Sequence, residues 1–355
     1  MKTLEELAIT DISAINAVLP KVIIDQVERV ARAKRFGRNL VKISEQLVRT
    51  KGRSIVIPRL GSVAAVHVAE GAAASKAGVQ MTAKTITPDK IGYTAQITQE
   101  ALDGQDFDLI NLSIEEVGVA LAEKEDLDIV DELIGLELGS ATIAGTHAAG
   151  YTWTVGAAPL LYITSIVSGG TTYTSADCAG IDFFEGLFKM TSVTLTNPVV
   201  SFAKSVRTNF LDAKTPAQLQ YEDVVNVATV IRGLKWVPNF LLINSNQMSD
   251  LLKSTKFIDA SQYGDREALV NGEVGKISGL KVLVTTVIPD GCALVVDSTR
   301  AAWEALKRPV DMKRWDNPTT DSVELYFFME YGVKVTDEDA VAIAVNLGLK
   351  AAELD

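Results

Sequence analysis

The residues that most often carry catalysis are few in this sequence, and none stands in an arrangement that a reaction requires. The two histidines, His67 and His147, lie in a short apolar run and in a Gly/Ala-rich stretch. Neither belongs to an HExxH pair or to the nucleophile–His–acid pattern of a hydrolase. The motifs GxGxxG, GxxxxGK[ST] and GxSxG are absent as well. The sequence therefore predicts no catalytic residue and no cofactor, and a protein that is not an enzyme.

Metal binding by cysteine or carboxylate is equally poorly supported. Cys178 and Cys292 lack CxxC spacing, so we predict neither a zinc knuckle nor a disulfide framework and interpret both as small buried residues. The acidic runs 123–126 and 337–339 could hold Mg²⁺ or Ca²⁺ in principle, but neither fits an EF-hand loop. Carboxylates in helices and turns usually face solvent, and the sequence predicts no metal site.

The charge balance limits the class of partner. The 355 residues include 34 basic and 45 acidic side chains, a formal net charge of −11. A dedicated nucleic-acid binder or a membrane-surface protein needs an excess of Lys and Arg. No stretch reaches the roughly 20 apolar residues of a membrane-spanning helix, and the first 20 residues have no signal-peptide pattern. We expect synthesis in a cytoplasm and no membrane partner.

A basic segment near the N-terminus departs from this acidic average. Apolar spacing predicts a helix from residue 21 to about residue 48, and its second half is rich in cations. One interpretation is a solvated helix face; the other is an arm that faces a polyanion such as DNA. The candidate DNA-facing residues are Arg29, Arg32, Lys34, Arg35 and Arg38.

The next segments predict a long hairpin followed by a long helix. Residues 54–58 and 84–98 have strand character, and the stretch 70–78 between them, EGAAASKAG, is too small to fill a core. Such a hairpin is marginal alone, so we expect it to lie on another chain. Residues 106–138 predict a helix whose apolar side includes Leu121 and Leu127 and whose polar side carries residues 123–126.

The remainder mixes strands and helices without a βαβ rhythm, which predicts an α+β protein. Residues 140–216 are rich in Thr, Gly and aromatics, and we predict an inserted, strand-rich region there, with strands at 160–163 and 192–195. Beyond it we predict helices at 221–233 and 247–253 and strands at 240–244, 279–284, 292–297 and 340–346, with a hairpin between 309 and 330.

The order of these elements resembles a known family. The stretches ITQEALDGQDFDLI, PNFLLINSNQMSDLLK, ISGLKVLVTTVIPDGCALVVD and VELYFFMEYGVKVTDEDAVAIAVN are similar to the major capsid proteins of tailed phages and archaeal tailed viruses, which have the Hong Kong 97-like fold. The resemblance implies an N-terminal arm (1–50), an extended E-loop hairpin (51–98), and a peripheral domain with a long spine helix (99–139 and 300–336). It implies an axial domain at 140–299 and 337–355, with the insertion near 140–216.

The resemblance also implies a function. A chain of this family is expected to self-assemble, as pentamers and hexamers, into an icosahedral shell that encloses double-stranded DNA. We expect portal and scaffolding proteins as partners, weak DNA contact through the basic arm, assembly in the host cytoplasm and a final location in the virion. Some members form a covalent bond between an E-loop Lys and an Asn of a neighbour's peripheral hairpin, promoted by a Glu. Lys76 and Asn317 are the candidate pair here, although any loop could hold such residues.

Two alternatives stay open from the sequence alone. The first is an encapsulin-like cellular nanocompartment of the same fold, which encloses cargo enzymes; the long insertion and the chain length favour a viral capsid. The second is a soluble α+β hydrolase or transferase, which would need a convergent site of His, Asp or Cys residues.

Overall fold

A computed structural model describes residues 35–48, 52–60, 67, 81–98, 100, 109–156, 159–190, 193–212, 219–253 and 276–347. The described residues fall into two compact units. The first comprises those within Met1–Arg38, Ile43–Asp128 and Trp303–Thr336, and the second those within Asn39–Lys42, Ile129–Ala302 and Asp337–Asp355. The domain division that the resemblance implies stays a prediction.

The described elements are mostly strands. Three α-helices occur, α1 (Leu109–Ile134), α2 (Tyr221–Gly233) and α3 (Ser245–Lys253), together with short 3-10 helices at Gly37–Asn39, Ser175–Asp177 and Glu338–Ala340. The strands are β1 (Lys42–Ser44), β2 (Ile55–Leu60), β3 (Met81–Ile86), β4 (Asp89–Thr98), β5 (Leu136–Thr142), β6 (Thr146–His147), β7 (Thr152–Thr154), β8 (Leu160–Ser168), β9 (Thr171–Tyr173), β10 (Cys178–Asp182), β11 (Leu187–Met190), β12 (Leu195–Thr196), β13 (Val199–Ser205), β14 (Phe210–Asp212), β15 (Phe240–Ile243), β16 (Lys276–Ile277), β17 (Leu280–Val284), β18 (Ala293–Val296), β19 (Ala302–Asn317), β20 (Ser322–Val335) and β21 (Val341–Val345).

The first unit is built on a four-stranded sheet in the order β1-β19-β20-β4. Strand β4 pairs antiparallel along its full length with β20, from Thr98 opposite Ser322 to Asp89 opposite Tyr331. One face of the sheet packs against α1, and this core removes a continuous apolar surface from water. Its buried members are Ala95, Val117, Leu121, Leu306, Val310, Met312, Leu325, Phe327, Met329 and Tyr331.

The predicted long hairpin is confirmed in its first part and corrected in its second. Strand β2 pairs antiparallel with β3, from Ile55 opposite Ile86 to Leu60 opposite Met81. Residues 89–98, predicted as the continuation of the second arm, instead form β4 and pair with β20. The change of partner occurs at residues 87–88, which belong to neither strand. Gly332 passes so close to them that a Cβ at position 332 would lie 2.8 Å from the Thr87 carbonyl oxygen. The tip at 70–78 lies outside the described residues.

The prediction of a basic helix at residues 21–48 is wrong over residues 35–48. Gly37–Asn39 is a 3-10 helix and Lys42–Ser44 is a strand of the four-stranded sheet. The N–H groups of Phe36 and Gly37 donate hydrogen bonds to Asp126 on α1. Such contacts with α1 outweigh the weak local preference of this segment for a helix. Residues 21–34 lie outside the described part of the chain.

Helix α1, predicted over 106–138, runs for 26 residues from Leu109 to Ile134. From Val117 onward the buried positions recur in adjacent pairs every fourth residue: 117–118, 121–122, 125–126, 129–130 and 133–134. Glu125 and Asp126 therefore lie on the buried face, and Leu127 lies on the exposed face. The predicted polar side is therefore wrong at Glu125 and Asp126, and the predicted apolar side is wrong at Leu127. The helix ends at Gly135, whose φ of +68° few other residues adopt without strain.

The second unit contains a six-stranded sheet in the order β14-β21-β18-β15-β17-β16. Strands β18 and β21 are buried along their whole length, as expected of central strands. Helix α2, predicted at the same boundaries, turns Val224, Val227, Ala228 and Ile231 to this core. The predicted strands at 240–244, 279–284, 292–297 and 340–346 are confirmed to within a residue or two at their ends.

Residues 136–212 are strand-rich, as predicted. They form the sheet β5-β13-β8-β9, the sheet β10-β11-β7 and the pair β12-β6, and β14 joins the six-stranded sheet. The strand predicted at 192–195 is wrong over residues 193–194, which have no strand structure; β12 begins only at Leu195. Asn346 links this region to the six-stranded sheet, because it accepts from the Phe183 N–H and donates to Asp182 and Asp212.

Candidate assembly site

A buried charge cluster lies on the inward face of α1, within the first unit. Arg35 Nε lies 2.6 Å from Glu125 Oε2, and Arg38 Nε donates to Glu125 Oε1 at 2.5 Å. The Glu125 side chain is fully buried, whereas those of Arg35 and Arg38 are 3% and 23% exposed. A buried carboxylate is tolerated only when it is paired, and two guanidiniums supply that pairing.

A second buried carboxyl, Glu304 on β19, belongs to the same cluster. Its oppositely charged partner among the described residues is Arg38, whose Nη2 lies 3.7 Å from Glu304 Oε1. Glu304 is 0% exposed, and neither of its oxygens receives a hydrogen bond from the described residues. Burial and the neighbouring Glu125 raise the pKa of Glu304 to about 8.

Asp126 anchors the segment before β1 through its backbone. Its two carboxylate oxygens accept from the Phe36 N–H at 3.2 Å and from the Gly37 N–H at 2.8 Å. Burial raises the pKa of Asp126 to about 6, although these two N–H donors oppose the shift. Below about pH 6 the anchor is therefore protonated and weakened.

Two residues further along α1, Asp128 accepts a hydrogen bond from the Tyr331 hydroxyl at 2.7 Å. Burial and this bond raise the pKa of Tyr331 far above its usual value. Asp128 also forms an ion pair at the helix surface, where Lys124 Nζ lies 2.6 Å from Asp128 Oδ1. The inward face of α1 thus joins the segment 35–38 and both long strands of the sheet.

The structure gives two of the five predicted DNA-facing residues a different partner. The guanidiniums of Arg35 and Arg38 contact Glu125 within their own unit. Arg29, Arg32 and Lys34 lie outside the described residues. A role of these cations at DNA stays a prediction, and the geometry favours a role inside the chain for Arg35 and Arg38.

The end of the β19–β20 hairpin carries Asn317, the predicted crosslink residue. Asn317 Nδ2 donates to Glu324 Oε1 at 3.1 Å, and Asn317 Oδ1 accepts from the Thr319 N–H. A carboxylate beside the carboxamide is the arrangement that a proton acceptor needs during amide exchange. Lys76 lies outside the described residues, so the structure shows one side of the predicted pair.

Large apolar side chains lie exposed on the first unit. Trp315, near the end of β19, is 69% exposed and Met81, at the start of β3, is 66% exposed. Val56 on β2 and Tyr93 on β4 are also exposed. Exposed apolar side chains are common singly, but the β2–β3 ribbon carries two of them, Val56 and Met81, which is typical of an interaction surface.

The residues first considered for chemistry lie apart in the structure. His147 stacks on Tyr151 with ring centroids 3.7 Å apart, and both cysteines are buried and free of disulfides. Burial raises the pKa of Cys178 to about 11 and that of Cys292 to about 12, which leaves both thiols unreactive. No group of three metal-ligating side chains occurs among the described residues. Nor is any helix described here long and apolar enough to cross a membrane.

The sequence interpretation missed Glu125 and Glu304 as members of one cluster. Glu125 stands in line with Val117, Leu121 and Ile129 at helical spacing, and that register was the available signal. Glu304 carried no comparable signal, because strand alternation in β19 is irregular around it.

Solved structures with a similar fold include phage capsids and a virus-like particle. The capsid of the cyanophage P-SCSP1u is 12% identical with a TM-score of 0.56, and the match covers 88% of each chain. Mycobacterium phage Che8 gives 13% identity and a TM-score of 0.55 over 87% of this chain and 90% of that one. A virus-like particle from Pyrococcus furiosus gives 11% identity and a TM-score of 0.51 over 91% and 98%. The chain has the Hong Kong 97-like capsid fold.

A sequence comparison identifies the family to which the chain belongs. The model of the family described as phage capsid protein matches residues 82–345, which is more than half of the chain. The chain therefore belongs to the phage capsid protein family. It is a structural major capsid protein, and its place is the virion capsid. No curated protein sequence matches it significantly.

Proposed function

We propose that copies of this chain assemble, as pentamers and hexamers, into a closed icosahedral shell that encloses the double-stranded DNA of a tailed virus. The family match over residues 82–345 carries this proposal. Closed symmetry repeats each interface many times, so that individually modest contacts add up to a stable shell. Portal and scaffolding proteins complete the assembly in the host cytoplasm.

The β2–β3 hairpin supports this function physically. A two-stranded ribbon is marginal in water by itself, and its outer edges leave backbone N–H and C=O groups unpaired. Met81 and Val56, at opposite ends of the ribbon, both present exposed apolar side chains. A neighbouring copy that lies under the ribbon buries these groups and pairs its edge.

Assembly of a Met81→Asp variant tests the role of the hairpin. A charge at a buried contact opposes association while leaving the free subunit unaffected, because Met81 is exposed in the single chain. We expect soluble subunits with wild-type circular dichroism and few or no particles in electron micrographs. Met81→Leu is the matched control and should assemble. Normal particles from Met81→Asp would show that this end of the hairpin lies outside the interfaces.

We also propose that Arg29, Arg32 and Lys34 contact packaged DNA weakly. The affinity for duplex DNA falls as the salt concentration rises. Replacement of all three residues by Gln should make the slope of log affinity against log salt less negative by about 2–3, as expected for the loss of three phosphate contacts. Arg314→Gln removes an exposed cation outside this segment and is the control. An unchanged salt slope in the triple variant would place these residues away from DNA.

A covalent bond between neighbouring copies is a further proposal for the hairpin end. Lys76 Nζ, after losing a proton to Glu324, attacks the Asn317 Cγ of a neighbour. The Cγ–Nζ bond forms and the Cγ–Nδ2 bond breaks. A second proton passes from Nζ to Nδ2, which leaves as ammonia, and the product is an amide. The hydrogen bond between Asn317 and Glu324 supports this assignment of the carboxylate.

Denaturing electrophoresis of particles tests the crosslink. Wild-type particles should give a ladder of covalent oligomers, and Lys76→Arg, Asn317→Asp and Glu324→Gln should each give only the monomer band. Lys84→Arg, on β3 of the same hairpin, should leave the ladder intact. A single monomer band from mature wild-type particles would contradict the proposal.

The contents of purified particles distinguish a virus shell from a nanocompartment. Nuclease-protected DNA with portal and tail proteins supports the viral function. An enclosed enzyme without DNA would support the alternative.

A further inference from the structure

Among the described residues, the charge cluster around Glu125 contains three carboxyl groups and two cations, Arg35 and Arg38. The described groups that face Glu304 are Arg35, Arg38 and Glu125, with Asp126 adjacent on the helix and the Tyr331–Asp128 pair one turn away. Asp126 is held by two backbone N–H groups and Glu125 by two guanidiniums. If Glu304 is neutral, the cluster holds two cations and two anions; if it is ionised, a third buried anion appears.

The hydrogen-bond geometry points to the neutral form. Glu304 is completely buried, and neither of its oxygens receives a hydrogen bond from the described residues, which is costly for an ionised group. The Glu304 carboxyl lies within hydrogen-bonding reach of Glu125. A proton on Glu304 turns that repulsive contact into a donor–acceptor bond, as in other carboxyl pairs that share one proton.

We propose that Glu304 holds a proton at neutral pH and that this proton locks residues 35–38 against α1 and β19. Loss of the proton places two like charges side by side beneath Arg38 and loosens the segment. The seating of residues 35–38 is therefore coupled to pH. For the assembled shell, this inference rests on the proposed function; the proton itself is a property of the single chain.

The direction of the coupling follows from linkage. The pKa of Glu304 in the folded chain, about 8, exceeds its ordinary value of 4.5. The locked state therefore binds the proton more tightly than the released state, and its stability falls as the pH rises between these two values. From about pH 7 to about pH 9, the equilibrium constant for release should rise about tenfold, and it should level off above the folded-state pKa.

Hydrogen exchange of the full-length chain measures this release. The amide hydrogens of Phe36 and Gly37, which donate to Asp126, report whether the segment is seated. After correction for base-catalysed exchange, their protection should fall about tenfold between pH 7 and pH 9 in the wild type. Glu304→Gln, which cannot lose a proton and still donates to Glu125, should remove this fall. Glu330→Gln, on β20 and paired with Lys307 at 3.0 Å, is the matched control and should retain it.

Infrared spectroscopy detects the proton directly. The wild type at pH 7 should show the carbonyl band of a protonated carboxylic acid, and the difference spectrum against Glu304→Gln should isolate it. A wild type with no such band, or with the same protection profile as Glu304→Gln, would overturn the inference. Because both measurements use unassembled chains, a failure to form particles would refute the shell function and leave this result intact.

Discussion

Arg207 provides a quantitative test of how the second unit is held together. Its guanidinium caps the C-terminal end of α1: Nε donates to the Leu133 carbonyl at 3.1 Å and Nη2 donates to the Glu132 carbonyl. The last carbonyls of a helix have no partner within the helix, and a cation there also interacts favourably with the helix dipole. Arg207→Met retains most of the side-chain volume and removes both bonds.

The expected cost follows from the burial of these groups. Two charge-assisted hydrogen bonds contribute about 1.5–3 kcal/mol each. The ion pairs with Glu132 and Glu338, both at 3.7 Å with partly exposed carboxylates, add little. Methionine avoids the desolvation cost that the buried guanidinium bears, which offsets part of the loss. We expect Arg207→Met to destabilise the second unit by about 2–4 kcal/mol.

Urea unfolding followed by tryptophan fluorescence measures this difference. Arg232→Met is the matched control, because Arg232 lies in the last turn of α2 and donates to the Ser278 carbonyl while exposed to solvent. It should change the free energy of unfolding by no more than about 0.5 kcal/mol. Equal effects of the two variants would refute the role assigned to the buried cap.

Three further predictions concern other buried groups. Tyr331→Phe removes the hydrogen bond to Asp128 and should lower the free energy of unfolding in urea by about 1–2 kcal/mol. The cost is smaller than for a fully buried charged bond, because Asp128 keeps its ion pair with Lys124. An unchanged free energy would mean that the hydroxyl does not contribute to stability. Cys178 and Cys292 should react with a thiol reagent at pH 8 at least about a hundredfold more slowly in the native chain than in urea; equal rates would contradict their burial. Asn346→Ala loses three hydrogen bonds and places Ala at a φ of +67°, so it should lower the free energy of unfolding by about 3–4 kcal/mol. Asn346→Gly loses the same bonds but avoids the backbone strain, so its cost should be about 1–2 kcal/mol smaller.

The sequence was most informative where local patterning and burial agree. Helix α2 was predicted at its observed boundaries, because its apolar residues recur at helical spacing and all of them face one core. The buried strands around 240, 293 and 341 were recognised from continuous apolar runs. The order of these elements along the chain was enough to indicate the family.

The sequence was least informative where pairing between distant segments decides the structure. Residues 84–98 have uniform strand character, yet 81–86 pair with β2 and 89–98 with β20, and nothing local distinguishes the two partners. The basic segment shows the same limitation. Its cations suggested a polyanion outside the chain, whereas the partner of Arg35 and Arg38 is Glu125, nearly ninety residues away in sequence.

The state of association of the purified full-length chain tests the central claim most directly. Sedimentation velocity with electron microscopy of the same sample should show closed shells of megadalton size, built of pentamers and hexamers. A chain that stays a monomer or dimer under all solution conditions, with its fold intact by circular dichroism, would contradict its function as a shell subunit.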